Sequence, residues 1–143
     1  MHGVTPHIAM ALALMSALPS CQRAPSAAAT LPTVDWRTSP LDLNLRGMNG
    51  TSYLFRCPPG KPTPESVTGS GIYTDASSIC AAAAHAGALN PQHGGVAMIE
   101  ILPGQSDYRG SMQNFIFSSG YPQKWGGSFA VLSGVDAPSN RHP

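Results

Sequence analysis

Three cysteines and five histidines are the side chains of this 143-residue chain best suited to chemistry, and their spacing limits what they can do. Cys80 and His85 invite a thiol–imidazole reading, a nucleophile beside its base. Both fall in the run Ile79-Cys80-Ala81-Ala82-Ala83-Ala84-His85-Ala86, which reads as helix. Five residues of helix turn two side chains about 140° apart, so this pair does not meet, and no third residue orients either one. His85 and His93, taken with Cys57 or Cys80, match no metal-ligand spacing. Gly69-Ser70-Gly71 is too little to cradle a phosphate. The expectation is a chain with no catalytic residue, no metal and no cofactor, in which His85 is a core histidine donating to a backbone carbonyl.

Charge and composition exclude further classes. Eight basic and seven acidic side chains leave a formal charge of +1, so there is no basic stripe of the kind that neutralises nucleic-acid phosphates. Charged residues are 10% of the chain, against roughly 25% in ordinary soluble domains. Hydrophobic residues at 42% with almost no net charge can collapse, which excludes a disordered acidic tail. The length allows one domain, and no apolar run approaches the ~18 residues of a membrane span.

The elements that must position any site are few. The strongest helix signal runs over about 75–89, with Asp75 or Thr74 as N-cap, small side chains on every face, and Asn90-Pro91 as the stop. A helix without a polar face is surrounded by protein. Before it, Asn49-Gly50 marks a hairpin turn, and in the strand that follows Tyr53, Phe55 and Cys57 share one face. Cys57-Pro58-Pro59-Gly60-Lys61-Pro62 forbids regular structure. After the helix, Val96 to Leu102 reads as a buried strand, Pro103-Gly104 as a turn, and Asn114 to Ser118 and Ser128 to Leu132 as further strands. The fold class expected is α+β, one central alanine-rich helix (about 75–89) wrapped by short, irregular antiparallel β-strands.

The amino terminus reads as an export signal. Ile8 to Leu18 is an apolar run of signal-peptide length, though its flank carries histidines rather than Lys or Arg. Leu18-Pro19-Ser20-Cys21 resembles a bacterial lipobox, in which the cysteine is acylated and becomes the new N-terminus; Pro19 departs from that pattern. Ala27-Ala28-Ala29 is a competing cleavage site. Two acyl chains give lasting membrane attachment, whereas one gives only marginal binding. The organisation expected is a signal peptide at 1–20, a flexible Ala/Pro/Ser tether at 21–33, a folded domain at 34–132 and a polar, frayed tail at 133–143.

Several motifs in that domain stand in the order of a known family. Gly71-Ile72-Tyr73-Thr74-Asp75-Ala76-Ser77-Ser78-Ile79-Cys80 with Ala81 to Gly87 resembles the "SSIC-x-AA-x-HAG" signature of the LCCL domain. Phe55-Arg56-Cys57-Pro58-Pro59-Gly60 is similar to its "F-x-C-P-x-G" entry, and Gly94-Gly95-Val96 to its "GG-x-V". Pro103-Gly104 with Tyr108, Gly110 and Ser111 resembles "PG…Y-x-GS", and Trp125 to Phe129 resembles "W-x-x-SF". There are two departures. Animal members have a second cysteine just after the "CP" turn, where this chain has Lys61, so their two-bridge pairing is impossible here. They also have glycine after the asparagine of "NG-I-x-S", where this chain has Phe115 after Asn114.

The odd cysteine count resolves if Cys21 is acylated or removed. Cys57 and Cys80 are then left to pair in an oxidising compartment; otherwise Cys80 is a buried free thiol. A bridge would close a loop of about 24 residues and contribute about 3–3.5 kcal/mol in the chain-entropy picture.

Turns concentrate in the stretch from Tyr108 to Trp125. Tyr108, Arg109, Gln113, Asn114, Tyr121, Lys124 and Trp125 suit sugars or lipid headgroups, with aromatic faces to stack and amides and cations to hydrogen-bond. The competing reading makes Tyr108 and Trp125 core fillers. The family resemblance implies an extracellular, non-catalytic ligand-recognition module, with lipopolysaccharide suggested for some members. The function expected is therefore an exported binding module at the cell envelope, periplasmic or extracellular and held to the membrane through Cys21. Its ligand would be glycan or lipid, recognised by Tyr108, Arg109, Asn114, Tyr121 and Trp125. The alternative is a structural or adaptor domain that docks on another envelope protein.

Overall fold

The alanine run forms a helix, but one half as long as the sequence predicts. In the computed structural model, which describes Gly3 and residues 30–136, helix α1 is Ile79–His85, seven residues. Its start is delayed because Asp75 is engaged elsewhere: its backbone N–H donates to Gly127 O and its C=O accepts from Leu41 N–H. Thr74 to Ser77 close a turn instead, and Ser78 is the N-cap, its Oγ accepting from Ala81 N–H at 3.1 Å. The end is equally local. Gly87, at φ +79°, donates to Ala84 O while Ala88 N–H donates to Ala83 O, the paired bonds of a Schellman motif that calls for glycine at that position. Every residue of α1 is buried, as a helix with no polar face requires.

The rest is predominantly antiparallel β. β1 (Ser52–Cys57), β4 (Gly95–Pro103), β7 (Gly127–Asp136), β3 (Ile72–Thr74) and β2 (Gly69–Ser70) make one five-stranded sheet in that spatial order. β5 (Ser111–Gln113) and β6 (Ile116–Ser118) form a separate hairpin that packs on α1. The fold is thus a β-sheet with one short helix on it, which corrects the expected long central helix. β4 alternates rather than being buried throughout: Ala97, Ile99 and Ile101 point into the core while Met98 and Glu100 are half-buried. With Tyr73, Phe129 and Phe55 they make the surface that covers the helix.

Three boundaries differ from the sequence reading. β7 continues through 133–136, where a frayed tail was expected, because Gly95, Val96 and Ala97 pair with Asp136, Val135 and Gly134. The last residues of the expected tether lie beside β1, with Thr33 bridged to Arg56 and Arg56 N–H donating to Pro32 O. Asn114 and Phe115 are not strand but the two-residue turn of the β5–β6 hairpin, since Gln113 pairs with Ile116 across them. The expected signal peptide, the lipobox with Cys21 and most of the tether lie outside the described residues. Cys57 and Cys80 are joined by a disulfide that ties the end of β1 to α1.

Candidate functional site

Two places bring polar side chains together around the motif residues, and a third presents them to solvent. The first is a corner built on Asp75, whose side chain is 1% exposed. Arg46 donates to both its oxygens, Nε to Oδ2 at 2.7 Å and Nη2 to Oδ1 at 2.8 Å, and Trp125 Nε1–H donates to Oδ1 at 2.7 Å. The guanidinium also lies 5.6 Å from the centroid of the Trp125 ring, a cation–π contact. Burial pushes the Asp75 carboxyl up, but the Arg46 and Trp125 donors outweigh it and hold the group below its ordinary range. Gly127 must be glycine there, because a Cβ would overlap Asp75 Oδ2.

The second is His85, fully buried at the end of α1. Its Nδ1 lies 2.9 Å from the Tyr73 hydroxyl and its Nε2 lies 3.3 Å from Ser111 O. Assigned from that network, Tyr73 O–H donates to Nδ1 and Nε2–H donates to the carbonyl. Burial lowers the imidazole pKa, and the Ser111 backbone contact opposes it weakly. Ser111 Oγ lies 3.2 Å from Nε2 and 2.6 Å from Ser70 Oγ, a serine–histidine proximity the sequence did not announce. In that tautomer Nε2–H, rather than a lone pair, faces the Ser111 hydroxyl. The three groups instead pin the hairpin to the helix, as does Asn114, whose Nδ2 donates to His85 O at 2.9 Å.

The five residues expected to bind ligand are not one site. Tyr108 is buried, its hydroxyl 2.5 Å from Ser128 Oγ and accepting from Gln105 N–H at 3.0 Å. Its ring is a core filler rather than an open stacking face. Arg109 is exposed and lines a recess of about 220 Å³ with Ser70 and Asp107. Tyr121 and Trp125 do meet, edge to face at 5.8 Å, beside a cavity of about 120 Å³. That cavity falls below the ~300 Å³ of ordinary ligand sites. Asn114 lies elsewhere again, on a groove of about 610 Å³ between the Gly60–Pro62 loop, the 87–92 loop and the hairpin turn.

That groove is the third place. Lys61, Gln92 and Phe115 line it, and a recess of about 520 Å³ adjoins it through Lys61, Pro62, Phe115 and Ile116. Sequence reasoning missed Lys61, Gln92 and Phe115 as candidates, although Lys61 and Phe115 are the two positions that depart from the family pattern. Phe115 is 102% exposed and Asn114 and Phe115 have φ of +48° and +62°. Two left-handed residues in a two-residue hairpin are the type I′ pattern, whose preferred sequence is Asn-Gly. A phenylalanine in the glycine place costs about 1 kcal/mol in backbone strain. Among the described residues no three His, Cys, Asp or Glu are grouped to hold a metal ion, and no helix is long and apolar enough to cross a membrane.

The LCCL domain model matches residues 34–129, from Val34 ahead of β1 to Phe129 in β7. The chain belongs to the LCCL domain family. Vitrin from Bos taurus is 35% identical over 103 residues, covering 71% of this chain and 16% of that protein. Cochlin from Bos taurus is 40% identical over 79 residues, 54% of this chain and 14% of cochlin. A mouse protein named cysteine-rich secretory protein LCCL domain-containing 1 is 39% identical over 80 residues, 55% of this chain and 16% of that protein. The chain thus spans less than a fifth of the length of these relatives and corresponds to their LCCL module. Residues within the matched span carry the structural contacts described above: Asp75 and Trp125 in the corner, Ser78 at the cap, Cys80 in the bridge, His85 and Gly87 at the helix end.

Proposed function

We propose that this chain is an exported, non-catalytic LCCL module that recognises glycan or lipid headgroups at the cell envelope through the groove beneath the β5–β6 turn. One observation carries the reading: a ring (Phe115), a cation (Lys61) and amides (Gln92, Asn114) converge on one groove of about 610 Å³, within the size of small-molecule sites. An aromatic face stacks on a sugar ring or acyl glycerol, while the cation and amides hydrogen-bond hydroxyls or phosphate. Export is supported by the Cys57–Cys80 disulfide, which suits an oxidising compartment, and by a relative whose name describes a secretory protein. Acylation of Cys21 would hold the module at a membrane.

The test is retention of the full chain on a glycan array and on immobilised lipopolysaccharide. Lys61→Ala combined with Phe115→Ala is expected to lower retention about tenfold or more, the loss of roughly one good polar contact and one ring, while Arg37→Ala leaves it unchanged. No retention on any glycan or on lipopolysaccharide contradicts the reading. For the anchor, Cys21→Ser is expected to release the protein from membranes, and unchanged fractionation favours cleavage at Ala27-Ala28-Ala29.

A further inference from the structure

Met112 and Phe117 are cross-strand partners on the outer face of the β5–β6 hairpin, 65% and 61% exposed, and Phe115 stands fully exposed at its turn. Their opposite numbers, Ile116 and Ser118, are buried, so the hairpin has one face on the protein and one apolar face on solvent. Together the three side chains expose on the order of 400 Å² of apolar surface. Half of a standard protein interface needs about 800 Å² from each partner, so this tip is too small to hold a second copy or another folded protein by itself. A lipid bilayer makes no such demand, because each inserted apolar side chain contributes independently.

The path of the chain points to the same occupant. Cys21, the expected acylation site, precedes the domain in the sequence. The chain joins the domain at Pro32, which accepts from Arg56 N–H, and at Trp36, whose Nε1–H donates to Pro58 O and whose ring rests against Gly60. Gly60, Lys61 and Pro62 then wall the groove at Phe115. The nine Cα–Cα steps from Cys21 to Thr30 reach about 30 Å at most, so a chain attached at Cys21 keeps this end of the domain near the bilayer.

We infer that the β5–β6 hairpin tip enters the membrane, Met112, Phe115 and Phe117 reaching the acyl region of a lipid bilayer beside the groove that holds the headgroup. The inference deepens the reading of the groove given above and rests on it. Lys61 and Glu65 both border the tip, one charge of each sign, so insertion is apolar in character and insensitive to added salt.

The test places a reporter at the tip of the full chain. Phe115→Trp, and separately Phe117→Trp, are mixed with phosphatidylcholine vesicles with and without brominated acyl chains, the emission of the unsubstituted chain being subtracted. Leu132→Trp, at another exposed apolar residue, is the control. The expected result is a blue shift at 115 and 117, quenched by brominated chains, unchanged by salt and absent at 132. Emission at 115 and 117 that vesicles leave unmoved overturns the inference, as does a shift that only a second copy of the chain or another protein produces. Failure here with retention on soluble glycans intact overturns insertion alone; failure of both overturns the groove reading with it.

Discussion

The Asp75 corner and the β5–β6 turn are opposite solutions within one small domain. At the corner, every group is held by another: Asp75 by Arg46 and Trp125, Gly127 by the lack of room for a Cβ, Trp125 by the guanidinium beside its ring. At the turn, a large ring occupies a position that backbone geometry assigns to glycine, and that ring is fully exposed. The corner gains stability from its residues, and the turn gives some up. Strain of that kind persists where the surrounding structure over-determines it and is characteristic of binding sites. Here His85, Ser111 and Asn114 supply the surrounding structure, since they fasten β5 and the turn to the end of α1.

The largest loss is expected at the corner. Asp75→Ala removes a carboxylate that accepts three hydrogen bonds and leaves Trp125 Nε1–H without its acceptor. A loss of about 2–3 kcal/mol is expected in denaturant unfolding, toward the low end of the values for buried pairs because Arg46 is 40% exposed and rehydrates. An unchanged midpoint would mean the corner is ornamental.

Acid should act on the two regions in turn. His85 is buried neutral with a lowered pKa, so the unfolded chain binds the proton more readily; its contribution is whole above about 6.5 and is lost as pH falls from there toward the lowered folded value. Asp75 is also lowered, so its contribution is whole above about 3.8 and lost as pH falls through its folded value. A melting temperature followed from neutral to acid should therefore fall in two stages, the first loosening the hairpin's hold on α1. His85→Gln should erase the first stage and keep the second, and a single transition below the carboxylate range would contradict the place given to His85.

The smallest expected effect has the opposite sign. Phe115→Gly restores the residue the type I′ turn prefers and should stabilise the domain by about 1 kcal/mol, while lowering retention on ligand. A destabilised Phe115→Gly chain would show that the ring is part of the fold rather than presented by it.

What could be read from the sequence follows the range of the interactions. The alanine run announced a helix enclosed by protein, and β1, with Phe55 and Cys57 on one face, declared itself by alternation. The helix starts later than predicted because Asp75, an N-cap by its local pattern, is engaged by residues far away in sequence: Arg46 and Trp125 at its carboxylate, Gly127 and Leu41 at its backbone. Asn114 to Ser118 reads as one strand because Phe115, in the glycine place, erases the turn signal from Gln113-Asn114-Phe115-Ile116. The sequence leaves Tyr108 and Trp125 open between ligand faces and core fillers, because their polar partners, Ser128 and Asp75, lie 20 and 50 residues distant. Asn114 was legible as an amide in a turn; that it fastens the turn to His85 was not.

The contrast between the two regions is tested most directly by following backbone amide resonances of the full chain as lipopolysaccharide or a retained glycan is added. The expected result is that amides of Lys61, Thr63, Glu65, Gln92 and Met112 to Phe117 shift while those of Arg46, Asp75, Tyr121 and Gln123 to Gly127 stay in place. Shifts centred on Tyr121 and Trp125, with the hairpin turn unmoved, would contradict it and place the binding surface at the corner.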